Sequence, residues 1–195
     1  VLVAASGEVD DENLSGARGR EADRFGNVYS ATLSDTSYDN PMIPGMGLSI
    51  SSRGSQSRVD AGHPSCVAPG KRPRLTPSPA LAFKEGEFFM AFGTPGGDIQ
   101  SQAMLQVFLN VAEFGLQLQQ AIEAPRFGTF SFPNSFAPHA YFPGRLCDER
   151  RIDGATTEEL AGLGHDIERW GDAVWTAGAV CAIRRDSETG LLHAG

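Results

Sequence analysis

Long hydrophobic runs are missing from this chain. No apolar stretch approaches the ~20 residues that a membrane-spanning helix needs, so none is expected. Basic charge is scarce: 16 Lys and Arg stand against 24 Asp and Glu, for a net charge of −8. Affinity for nucleic acid rests mostly on Lys and Arg, so this balance argues against a nucleic-acid partner. Cysteine is sparse and odd in number. Cys66, Cys147 and Cys181 lie far apart and define neither a disulfide framework nor a zinc spacing. The usual catalytic signatures are absent: no Gly-x-Ser-x-Gly elbow, no Walker loop, no His-Glu-x-x-His and no Cys-x-x-Cys. His63, His139, His165 and His193 are scattered and share no helix face, so each reads as a loop or surface residue. The first residue is Val1, with no basic-then-apolar leader, so the start of the gene product is expected upstream and a secretion signal stays open. The compartment, cytoplasm or periplasm, is not set by these features.

What is present is organised around residues 80–114. Two short apolar runs, Ala80-Leu81-Ala82-Phe83 and Phe88-Phe89-Met90-Ala91-Phe92, flank Lys84-Glu85-Gly86-Glu87 and predict a β-hairpin with a glycine turn. Gly93-Thr94-Pro95-Gly96-Gly97-Asp98 follows, and then residues 99–114, apolar nearly all round and free of Pro, predict a buried helix. Asp98 stands where its carboxylate can cap that helix. Two glycines thus fall where a buried strand turns into a helix. Their bare backbone allows close approach, and their N–H groups can face negative charge developing on a carbonyl oxygen. The same pattern also fits a tight strand-to-helix turn with no ligand.

Elsewhere, residues 27–34 predict a strand, and residues 35–62, crowded with Ser, Gly, Pro and Asp, predict a long loop. A second helix is expected over 117–124, stopped by Pro125, and residues 126–145 read as an aromatic- and Pro-rich loop. A third helix is expected to open at Thr156, with Glu159 completing a capping box, and to end at Gly164. A strand over 165–170 and a hairpin of 177–185 with 191–194 complete the chain. Hairpins rather than βαβ spacing predict a layered αβ fold with largely antiparallel sheets. With 195 residues and 41% hydrophobic content, one globular domain is expected.

Taken together, Pro69-Gly70-Lys71-Arg72-Pro73, Ser78-Pro79, Gly93-Thr94-Pro95-Gly96-Gly97-Asp98, Leu105-Gln106-Val107, Asn110, Phe114-Gly115, Ala121 and Ala124-Pro125-Arg126-Phe127 resemble, in order and spacing, the small C-terminal subunit of the γ-glutamyltranspeptidase family. The match reaches back through Ser30-Ala31-Thr32 and Gly26-Asn27 to Asp23. The resemblance implies an α+β fold of the N-terminal nucleophile hydrolase type, a four-layer αββα sandwich that is incomplete without a large-subunit segment of the same precursor. It divides the chain into an atypical N-terminal segment, residues 1–22, around the expected processing site, and a small-subunit domain, residues 23–195. It implies self-cleavage, an N-terminal threonine nucleophile whose own α-amine is the base, an acyl-enzyme, and a small-molecule amide substrate. Glutathione metabolism is the setting that the family suggests. No metal or organic cofactor is implied, and homo-oligomerisation is left open. Gly96 and Gly97 map to the oxyanion-hole donors, Ser34 to the hydroxyl that supports the nucleophile, and Thr36 to a nearby polar contact.

The chain departs from the family twice. The nucleophile position falls on Gly16, which has no nucleophilic side chain, with Ser15 the one hydroxyl nearby. A catalytically inactive member with a binding or structural role is therefore the alternative to an active hydrolase or acyltransferase. In the substrate loop, the acid that pairs with a γ-glutamyl ammonium is replaced by Gln56, and a cation appears at Arg53. Of the family's two carboxylate-binding serines, Thr76 alone keeps a hydroxyl. These departures predict an acyl group that is not γ-glutamyl, the rival reading being that another acid, such as Asp39 or Asp60, replaces the missing one.

Overall fold

The computed structural model describes residues 18–23, 25–32 and 40–195. Gly16, Ser15, Ser34, Thr36 and Asp39 lie outside them.

The predicted hairpin is the spine of the molecule. Strands β5 (Ala80–Lys84) and β6 (Glu87–Gly93) pair antiparallel across a two-residue loop, Glu85-Gly86, in which both φ angles are positive (54° and 85°). That backbone twist matches the twist of the flanking strands, and glycine supplies one of the two positive angles without strain. β10 (Cys181–Arg185) adds to the other side of β6, and β11 (Leu192–Ala194) to β10, giving the order β11-β10-β6-β5.

The two faces of this sheet are covered differently. Met90, Phe92 and Ala182 face a core shared with helix α1 (Gln100–Ala112) and helix α2 (Leu118–Glu123), through Ala103, Met104, Val107, Val111, Leu118 and Ala121. Phe108 stacks on Phe92 with the ring centroids 5.7 Å apart. Ala91 and Ile183, paired across β6 and β10, are buried completely outside that core. The sheet also meets a second one, formed by β1 (Arg18–Ala22) and β2 (Val28–Thr32), with β2 touching β6 and β1 touching β10. Ser30 donates its hydroxyl to the Phe92 carbonyl across this contact at 3.3 Å. The β1–β2 turn is closed by Asp23, whose carboxylate accepts from the Phe25 and Asn27 N–H groups and the Asn27 amide. The described residues thus stack as helices, sheet, sheet.

Several expectations are corrected. Asp98 does not cap the central helix. The chain passes through a 3₁₀ turn, Gly97–Ile99, and α1 starts at Gln100 with no side-chain cap, because the Asp98 carboxylate is engaged elsewhere. Nor is α1 buried all round: Leu105 and Leu109 sit on its outer face, 56% and 38% exposed. The third helix, α3 (Gly154–Gly162), opens two residues before Thr156, since Asp153 is its N-cap and accepts from the Thr156 N–H.

Residues 126–145 are not wholly loop, because Phe127–Thr129 forms β7. β7 pairs antiparallel with β8 (Arg145–Asp148), and β8 runs parallel to β9 (Asp166–Arg169) with α3 as the crossover. One βαβ unit is therefore present where only hairpins were expected. Within the loop over 35–62, a short hairpin of β3 (Met42–Ile43) and β4 (Leu48–Ser49) leads into a 3₁₀ turn, Ser52–Gln56. Residues 177–180 precede β10 rather than belonging to it, and Trp175–Ala177 forms another 3₁₀ turn.

Candidate active site

Gly96 and Gly97 lie just past the end of β6, at φ 124° and 59°, both in the region that favours glycine. A β-carbon on Gly96 would collide with Ile99 Cγ2, so the first glycine is demanded by space as well as by angle. Among the described residues, neither glycine N–H donates to a backbone carbonyl. The turn is braced from behind by Thr94, fully buried, whose hydroxyl donates to the Pro95 carbonyl at 2.9 Å and accepts the Ala179 N–H at 2.8 Å. Gly178 makes this approach possible, since a β-carbon there would sit 2.9 Å from Ala103 Cβ and 3.0 Å from Thr94 Oγ1.

These glycines form one wall of a cavity of about 300 Å³. Arg53 and Thr76 line it as well, joined by a 3.1 Å hydrogen bond from Arg53 Nη1 to Thr76 Oγ1. Arg53 is 96% withdrawn from solvent in effect, with only 4% of its surface exposed, and its guanidinium lies 5.8 Å from the centroid of Phe136. A cation held in this way, beside a hydroxyl and two backbone N–H groups at a helix start, suits an anionic or oxyanion-forming ligand.

Of the residues singled out from the sequence, Gly96, Gly97, Arg53 and Thr76 thus line one cavity. Gln56 is buried, 2% exposed, and does not line it. Neither the oxygen nor the nitrogen of its amide meets a hydrogen-bonding partner among the described residues.

Sequence reasoning missed Asn134, Phe136 and Trp175, which complete the wall, and misread Asp98. Asp98 accepts the Ser135 N–H at 2.6 Å and the Ser135 hydroxyl, so its carboxylate ties the loop to the glycine turn. Gln100 lines the cavity too and accepts the Ser78 N–H at 3.2 Å. The Asn-Ser-Phe run at 134–136 carries no periodic signal and lies 37 residues from Asp98 at Ser135, so nothing local could have revealed it.

Beyond the cavity, Arg126 fastens the floor of this end of the molecule. Its side chain donates to the carbonyls of Ala177 at 2.9 Å, Ile122 at 2.5 Å and Gly178 at 2.9 Å. Burial pulls the Arg126 pKa below its ordinary value, and nearby Glu149 opposes that pull. Glu149 is fully buried, accepts the Arg126 and Val174 N–H groups and pairs with Arg151 at 2.7 Å. Among the described residues, no three His, Cys, Asp or Glu side chains converge as a metal set, and no helix is long and apolar enough to cross a membrane.

Known proteins share this arrangement of chain. The glutathione hydrolase proenzyme of Bacillus subtilis (strain 168) is 29% identical over 173 residues, covering 88% of this chain and 27% of that protein. The oxamate amidohydrolase proenzyme of Klebsiella pneumoniae is 30% identical over 156 residues, covering 78% of this chain and 28% of that protein. Among solved structures, cephalosporin acylase from Bacillus halodurans superposes with a TM-score of 0.77 at 28% identity, over 91% of this chain and 31% of that one. The chain spans little more than a quarter of the length of the two curated relatives. The family model described as Gamma-glutamyltranspeptidase matches residues 21–195, which takes in the glycine turn, Arg53 and Thr76 together, and by that match the chain belongs to the gamma-glutamyltranspeptidase family.

Proposed function

We propose that this chain is the small-subunit part of an amide hydrolase or acyltransferase working through an acyl-enzyme, and that its acyl group carries a carboxylate but no free α-amine. The observation that carries the reading is that Arg53, hydrogen-bonded to Thr76, lines one cavity together with Gly96 and Gly97. In the competent enzyme a Thr or Ser hydroxyl at the Gly16 position attacks the amide carbonyl, and its proton passes to the free α-amine. The oxyanion rests on the N–H groups of Gly96 and Gly97. The carbon–nitrogen bond then breaks, the proton goes to the leaving amine, and water or an acceptor amine releases the acyl group. Ser34 is proposed to steady the nucleophile and Thr36 to contact the substrate. A large-subunit segment of the same precursor is proposed to complete the pocket, which accords with the proenzyme names of the relatives and the share of their length matched here.

Specificity follows from charge. A γ-glutamyl group presents an ammonium beside its carboxylate, and the ammonium needs an anion. Gln56 offers none, and Asp98, the acid that lines the cavity among the described residues, already accepts twice from Ser135. A charge-assisted contact is about twice as strong as a neutral one, so γ-glutamyl groups bind at a disadvantage. Arg53 and Thr76 suit a carboxylate, as in an oxalyl or glutaryl group. The relatives named oxamate amidohydrolase and cephalosporin acylase support a family range wider than glutathione. Turnover of glutaryl, oxalyl and γ-glutamyl anilides by the full-length precursor carrying Gly16→Thr tests this. Faster γ-glutamyl turnover refutes the specificity.

Gly16 favours a second reading, an inactive member that keeps the scaffold for binding. Intact-mass analysis of the full-length protein separates the two. Two fragments with Ser or Thr at the new N-terminus support the enzyme, and one uncut chain supports the binding role.

A further inference from the structure

We propose that Phe136 sets the length of acyl chain that the cavity accepts, a role that rests on the carboxylate reading of the site. The ring of Phe136 lies close to both Gly97 and Arg53, which line the same cavity. Its Cε2 atom would lie 3.4 Å from a β-carbon on Gly97, and the Arg53 guanidinium carbon lies 5.8 Å from its centroid. An acyl group with its carbonyl at the glycine turn and its carboxylate at Arg53 must therefore run alongside this ring. The ring is the spacer between the two binding points.

The spacer is fixed on either side. Ser135, the residue before it, is held by the carboxylate of Asp98, the residue after the glycine pair. Ala137, the residue after it, donates its N–H at 2.8 Å to the carbonyl of Ser55, in the 3₁₀ turn that carries Arg53. The Phe136 N–H itself donates to Asn134 Oδ1 at 2.8 Å. A ring tied to the oxyanion side by one neighbour and to the cation side by the other keeps their separation constant. Asp98 and Ser135 are positioning residues in this scheme, and Phe136 is the residue that meets the acyl chain.

Dicarboxylates test the idea without turnover, since one carboxylate can occupy Arg53 and the other the glycine N–H groups. Binding of oxalate, succinate, glutarate and adipate to the full-length protein is measured by calorimetry, together with Phe136→Leu, Phe136→Trp and, as a control in the same loop, Phe132→Leu. The smaller side chain should move the preferred ligand to a longer homologue and the larger one to a shorter. The affinity ratio between neighbouring lengths should change by about tenfold, the low end of what one methylene is worth in a shaped pocket. Phe132→Leu should keep the wild-type order. If both Phe136 variants keep that order, or both shift in the same direction, the length role is overturned while the site stands. If the wild-type protein binds no dicarboxylate, the carboxylate reading fails, and the length role fails with it.

Discussion

The hydroxyl of Thr94 reaches across the molecule to the N–H of Ala179, 85 residues further along the chain, at 2.8 Å. This one contact joins the end of β6 to the segment leading into β10, at the point where the glycine turn begins. Thr94→Val keeps the shape and removes two hydrogen bonds, the one accepted from the half-buried Ala179 N–H and the one donated to the Pro95 carbonyl. The expected cost is roughly 1–3 kcal/mol, the usual net worth of two intramolecular hydrogen bonds. Urea unfolding of the full-length protein measures it, and an unchanged midpoint would mean that water replaces the hydroxyl.

The two glycines should not respond alike. Gly96→Ala drives a methyl into Ile99 and forces the turn to move, whereas Gly97→Ala adds the strain of a positive φ but brings its methyl only to 3.4 Å from Phe136. In the Gly16→Thr precursor after cleavage, Gly96→Ala should lower turnover about 10²–10³-fold, as losing an oxyanion donor does. Gly97→Ala should lower it far less. Single-turnover kinetics on an anilide substrate give both values, and equal losses would count against the cradle.

Gln56 is the clearest target for stabilisation. Its amide is buried without a hydrogen-bonding partner among the described residues. Gln56→Met keeps the length and removes both unsatisfied groups, and should stabilise the protein by about 1–3 kcal/mol. A loss of stability on denaturant titration would reveal a partner for the amide in the complete protein.

Cys147 provides a pH signature. Burial, with nearby acidic groups adding to it, pushes its thiol up to about 11. The unfolded thiol ionises near 9. Between those values the unfolded chain has released a proton that the folded chain retains, so stability is full below pH 9 and falls as the pH rises towards 11. Unfolding free energies measured across that window should slope downward, and Cys147→Ala should flatten part of the slope.

The fold was legible where the signal was local. The β5–β6 hairpin needs only two apolar runs and Glu85-Gly86, and the glycine turn announces itself by composition. Helix starts were misplaced because the short acids found other partners. Asp98 meets two donors on Ser135, and Asp153 outcompetes Thr156 for the third helix. The parallel pair β8–β9 was missed because its crossover helix α3 is only nine residues long, so the unit looks like separate pieces. Arg53 and Thr76 were singled out through family resemblance, and no periodicity could have joined them to Gly96. Phe136 and Trp175 come from irregular segments whose place depends on tertiary contacts alone.

The wall of the cavity is drawn from five separate stretches of chain, at 52–53, 76, 96–100, 134–136 and 175. No fragment holds a smaller version of it, so a ligand that fits binds only when all five are in register. Such a ligand acts as a thermodynamic clasp on the whole molecule: at a hundred times its dissociation constant it adds about 2.7 kcal/mol to the folded state. Ligand supply and resistance to proteolysis are thereby coupled, and the protein deprived of its ligand becomes the one that is degraded first.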